Sequence, residues 1–322
     1  MSPSLQNKSF ALITLLVITP YLLGFPFSTK VELILLILLL VITGIPHGAI
    51  DHVIFQQQNK SGGKANNIWK SFFLPYLLFI GMTLIFWLLV PVFMFWIFLL
   101  VSAYHFGQSQ LYHLRLSEKD WLKKGLYLLW GVSFLSGLWI FNWQAEREII
   151  QTIFNWPMLE GGILYQSVKV IAIASTLLVI AGYIFCFQIK ILTLYMALQE
   201  TAVMVILFFL VKFTSLYIAF ALYFGLWHAA RVMFTEYRFL SEARQASLSA
   251  GAFIKAFIPF SLLSFAGIGL LLGLASLLQA TISTFLLFLI FISALTMPHA
   301  LVMHSMYKIL EKASGEKPIV QG

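Results

Sequence analysis

VELILLILLLVITGIPHGAIDH, residues 31–52, is the stretch on which the fold reading turns. A mostly apolar run passes into GIPHGAIDH, and two histidines and an aspartate stand where a membrane span should be ending. Crossing hydrocarbon takes roughly 17–25 mostly apolar residues in a helix, and ionisable groups are costly there. The arrangement returns near the other end of the sequence. MPHALVMH (297–304) repeats Pro-His-(Gly/Ala)-x-x-x-His after a second apolar run.

Hydrophobic residues make up 61% of the 322 residues and charged residues 10%, with a mean hydropathy of +0.92. A soluble domain is about half apolar and about a quarter charged, so this is the sequence of an integral membrane protein in a lipid bilayer. The formal charge of +8 then marks cytoplasmic loops rather than a nucleic-acid surface, and no nucleic-acid partner is expected. The single cysteine, Cys186, excludes an intrachain disulfide. Only Lys8 precedes the first apolar run and no small-residue cleavage site follows it, which predicts a retained span rather than a signal peptide.

Ten spans are expected, at about 10–26, 31–50, 72–90, 91–108, 126–142, 168–187, 191–211, 213–230, 253–276 and 281–303. Two joins, near Pro91 and near Lys212, have almost no polar loop, and the seventh span contains Glu200. With ten spans, sixteen of the 20 lysines and arginines fall on the side of the termini, and only Lys30, Arg147, Lys169 and Lys212 fall on the other. That asymmetry puts both termini in the cytoplasm, and losing one span would scramble it. The expected fold is all-α: a polytopic integral membrane helical bundle of about ten transmembrane helices. It forms a single membrane domain over 1–322, multi-pass in the cell inner (plasma) membrane.

His47, His105, His228 and His299 each fall near the end of an even-numbered span, so all four gather at the cytoplasmic ends of their helices. A bundle brings such ends together, and bundle interiors are where helical proteins build metal sites. Pro46 with Gly44 and Gly48 loosens the turn at His47, and Pro298 precedes His299 as Pro46 precedes His47. Five residues turn about 500° of helix, leaving His47 and His52 about 140° apart, as are His299 and His304. One histidine of each pair is therefore expected to ligate. His52 and His304 remain candidates for an outer shell, with Asp51, Glu200 and Tyr104, which flanks His105 in YHFGQSQ (104–110). His113 is expected to be solvated in a charged loop, and Glu236 to be a surface anion beside Arg231 or Arg238. The aromatic content of 16% is accounted for mostly by span packing and interfacial belts.

All-imidazole ligation without thiolate suits iron, copper or zinc. There is no candidate serine triad, no glycine-rich phosphate loop and no pair of intramembrane carboxylates suited to hydrolysis.

GIPHGAID, YHFG, the WHAAR segment and MPHALVM, in this order over ten spans, resemble the bacteriorhodopsin-related-protein-like (Brp/Blh) family of membrane β-carotene 15,15′-dioxygenases. The resemblance covers nearly the whole chain. It implies Fe(II) held by histidines, β-carotene and O2 as substrates, two molecules of all-trans-retinal as products, and supply of retinal to a rhodopsin. The family's ligands would fall on His47, His105 and His228. A second histidine four residues after His228 is part of the family pattern; here Val232 stands there. Either three histidines suffice or a fourth completes the shell, with His299 the expected one and His52 or His304 the alternatives. Clustered His-x-x-His-His boxes of membrane di-iron enzymes are absent. The remaining alternatives are a catalytically altered carotenoid- or retinal-binding relative and a proton-coupled membrane transporter.

Overall fold

A computed structural model of the chain describes residues 3–59, 67–114, 120–144, 162–243, 248–277 and 284–315. Lys60, Lys64, Arg115, Lys119, Arg147, Arg244 and Lys317, which enter the sidedness count, lie outside them.

Every regular element among the described residues is helical. Helix α1 is Pro3–Leu22. Helix α2, Thr29–Leu39, runs into a π segment, Leu40–Gly44, and through a 3-10 turn, Gly48–Ile50, into α3, Asp51–Asn59. A π turn, Trp69–Phe73, opens α4, Leu74–Leu89. Then follow α5, Pro91–Leu111; α6, Asp120–Phe141; α7, Ile163–Gln188; and α8, Leu194–Phe213. The short α9, Leu216–Phe220, leads into a π segment, Ala221–Ala230, and α10, Arg231–Ala243. Helices α11, Ala250–Leu277, and α12, Thr284–Gly315, complete the series.

Nine of these runs are long and apolar enough to cross a membrane. The remaining expected span is α1, which has the length at 20 residues but carries Gln6, Asn7 and Lys8 within its first two turns. Both doubtful joins are real breaks with local causes. Val90 leaves the helical region at φ −142°, ψ 62°, as a residue before proline tends to, and Pro91 starts α5 where its missing N–H does no harm. Thr214 closes α8 in extended backbone, and the Ser215 hydroxyl caps α9 by accepting from Ile218 N.

Chain packing forms two units. The first comprises Met1–Gly44, Ser102–Arg147 and Trp156–Val232; the second comprises Ile45–Val101, Glu148–Asn155 and Met233–Gly322. In the first, α5 and α6 meet at small residues: a Cβ on Gly107 would fall on the Tyr127 carbonyl, and one on Gly131 on that of Ala103. Close backbone approach of this kind is how helices associate in lipid, where hydrophobicity gives no drive. The two π segments of this unit also touch. Thr43 Oγ1 donates to the Gly225 carbonyl at 2.7 Å, and a Cβ on Gly225 would lie 2.6 Å from Leu39 Cβ.

In the second unit α12 packs on α4 and α3. Trp87 Nε1 donates to Ser293 Oγ at 2.6 Å, and Gln58 Nε2 donates to the Val302 carbonyl at 3.1 Å. Helix α12 runs unbroken through Pro298. A proline removes one backbone hydrogen bond, a loss tolerated at membrane depth where neighbouring protein surrounds the helix.

Candidate metal centre

The first unit brings His105 and His228 together. Helix α5 carries His105, and the π segment after Gly225 carries His228; both side chains are buried. Their ring centroids are 4.8 Å apart with planes at 80°. Ser109, one turn after His105, donates its hydroxyl to the Phe106 carbonyl at 2.9 Å. Its oxygen also lies 3.0 Å from His228 Nδ1. With its proton committed, the hydroxyl accepts from Nδ1–H, which assigns the lone pair of His228 to Nε2. Phe106 meets the His228 ring edge-on at 4.7 Å and Phe224 stacks on it at 5.8 Å. The imidazole thus sits among phenyl rings rather than water.

The second unit brings His47 and His299 together, with centroids 4.8 Å apart and planes at 89°. Asp51, one turn after His47, places Oδ1 2.9 Å and Oδ2 3.1 Å from His299 Nδ1. Tyr76 donates its hydroxyl to Oδ2 at 2.9 Å. A carboxylate on Nδ1 makes that nitrogen the donor and places the lone pair on Nε2, an arrangement that also orients metal-bound histidines. Asp51 stands next to His52 in sequence, and the imidazole it hydrogen-bonds is that of His299.

The other candidates divide. His52 is half-buried and packs on Phe260 at 4.4 Å and Phe73 at 6.1 Å. Tyr104 turns its ring to Tyr127 at 6.0 Å. His304 is half-buried on α12, five residues beyond His299. Glu200 is buried and engaged by Asn7, Gln110 and His113. His113 is therefore not a solvated loop residue: the 3-10 turn Tyr112–Leu114 after α5 folds its Nε2 to 3.4 Å from Glu200 Oε1.

Glu236 is not a surface anion either. It is fully buried, and neither carboxylate oxygen has a hydrogen-bond partner among the described residues. Arg231 donates instead to Asn7, and Arg238 reaches Glu242 at 3.7 Å. The signal was present in the periodicity, because Glu236 falls on the inward stripe with Val232, Thr235, Phe239 and Leu240. Ser109 was missed altogether. Its spacing of four from His105 is the cue, but only its reach to His228 gives it a role.

Buried imidazoles on a multi-pass helical membrane protein, oriented by a hydroxyl in one unit and a carboxylate in the other, define a class: a membrane protein with buried histidines that could hold a metal ion. His47, His105 and His228 each have a ring nitrogen that could take a metal, and His299 is not one of that group. The donor chemistry, nitrogen without thiolate, fits iron, copper or zinc. Residues 38–307, which contain all four histidines, match the family model for beta-carotene 15,15′-dioxygenase. The chain belongs to that family. No curated protein and no solved structure matches it.

Proposed function

We propose that this protein splits the central double bond of β-carotene with O2, placing one oxygen atom on each half and yielding two molecules of all-trans-retinal. The resident metal is Fe(II), held by His47, His105, His228 and His299. The observation that carries this reading is the family match over 38–307, within which each of these four side chains is buried.

Iron(II), when bound, supplies a redox-active Lewis acid suited to oxygen chemistry on an electron-rich alkene. The protein's own part is to aim and to exclude. Ser109 and Asp51 hold Nδ1–H of His228 and His299 so that Nε2 of each is presented. Phe106 and Phe224 wall the His228 ring, which limits water and stray oxidation. β-Carotene has no polar handle, so it enters laterally from the bilayer and is positioned by shape. Retinal would leave by the same phase, to a rhodopsin. Both termini lie in the cytoplasm and the membrane is the inner (plasma) membrane.

One observation favours a rival. Val232 is fully buried at the position where the family pattern has a second imidazole, which would suit a carotenoid- or retinal-binding relative without catalysis. Expression in bacteria that accumulate β-carotene, with pigment chromatography and His105→Ala as control, separates the two. Retinal from the native chain alone is the expected result. Intact carotene from a well-expressed, iron-loaded chain would remove the enzyme reading.

A further inference from the structure

The first unit holds a second buried network, apart from the imidazole pair. Glu200 is 1% exposed and Arg231 3%, a carboxylate and a guanidinium in a setting where each is costly unless compensated. One amide joins them. Arg231 Nη2 donates to Asn7 Oδ1 at 2.5 Å, and Asn7 Nδ2 donates to Glu200 Oε1 at 3.4 Å. The other Glu200 oxygen accepts from Gln110 Nε2 at 2.8 Å.

Each end of this network is attached beside a candidate ligand. Gln110 follows Ser109, the acceptor for His228, on the helix that carries His105. Arg231 follows His228 by three residues, and its Nε donates to the Trp227 carbonyl at 3.2 Å. Its guanidinium lies 5.8 Å from the Phe10 ring centre and 5.7 Å from that of Trp227. Trp227 in turn donates from Nε1 to Thr14 Oγ1 at 2.8 Å. Helix α1, which precedes the matched residues 38–307, therefore grips the residues on both sides of His228. That grip falls on a π segment of ten residues, a backbone form that is rarely long and is frequent at functional sites.

Resting on the reading of His105 and His228 as metal ligands, we propose that Asn7, Glu200 and Arg231 are positioning residues. They form a clamp that sets the separation and tilt of the two imidazoles from outside the site, with Thr14 as a weaker second hold. Ligand geometry must be kept within about 0.5 Å for a metal centre to work, and the clamp contributes that fixity by tying the π segment to α1 and α8.

The test uses the full chain in detergent. Asn7→Ala cuts the clamp and Thr14→Val removes only the hold on Trp227. Thr176→Val is the control, deleting a partly buried hydroxyl contact to Ser133 (2.6 Å) elsewhere in the same unit. Hydrogen exchange of residues 221–231 in metal-free protein reads the clamp alone, and Fe(II) affinity by chelator competition reads its consequence. Asn7→Ala should speed exchange about 10-fold, as loss of a charge-assisted bond implies, and weaken Fe(II) binding about 10-fold. Thr14→Val should do the same more weakly, and Thr176→Val should leave both readouts unchanged. Unchanged exchange in Asn7→Ala, or an equal rise in Thr176→Val, overturns the clamp. So does unaltered Fe(II) affinity in Asn7→Ala when the native chain loads iron. A native chain that binds no iron, with exchange changing as expected, supports the clamp and removes the iron reading instead.

Discussion

His105 and His228 in the first unit, and His47 and His299 in the second, meet at the same ring separation of 4.8 Å with planes 80° and 89° apart. What orients them differs. In the first unit a neutral hydroxyl, already committed to a carbonyl, accepts from His228. In the second a carboxylate, held from behind by Tyr76, faces His299. A hydroxyl fixes the tautomer and little else. A carboxylate also makes the imidazole more basic and tightens its hold on a cation. The first pair is accordingly defined by packing, through glycine contacts, phenyl walls and a π segment, and the second by charge.

The sharpest way to break this comparison is to remove the rings. His105→Ala should lower retinal formation by 100-fold or more, beyond the roughly 10–100-fold usual for an outer partner. His299→Ala should match it, and a His299→Ala variant that kept iron and activity would leave His299 without a ligand role. Next in size, Asp51→Asn keeps the shape but not the charge, and should weaken Fe(II) binding about 10–100-fold in chelator competition. Gly107→Ala strikes the first pair through packing alone. Its new methyl meets the Tyr127 carbonyl, and thermal unfolding in detergent should show a loss of about 1–3 kcal/mol. Ser109→Ala should be mildest, about 5-fold in Fe(II) affinity, because a neutral hydrogen bond contributes about 1 kcal/mol. An Asp51→Asn effect no larger than that of Ser109→Ala would erase the distinction between the pairs.

Much of the fold was legible in sequence because its causes are local. Hydropathy marks the spans, Val90–Pro91 breaks one helix, and Thr214–Ser215 ends one and caps the next. The site was legible in part. The four histidines singled out in the sequence, His47, His105, His228 and His299, are buried. His113 and Glu236 were misread for one physical reason: burial depends on which way a helix face turns and on what meets it there. Glu200 does so at His113, from a helix far along the chain. For Glu236 the inward stripe of α10 decides.

By itself, then, the sequence determined a multi-pass all-helical membrane protein, the places where its helices break, and the few polar side chains its spans must accommodate. The tertiary structure decided the partners. Asp51 lies next to His52 in sequence yet bonds His299, 248 positions away, and Ser109 bonds His228 across 119. Hydropathy and capping are summed over a turn or two of chain, whereas the choice of an imidazole by an oxygen depends on helix rotation and depth, which only the packing of every other span sets.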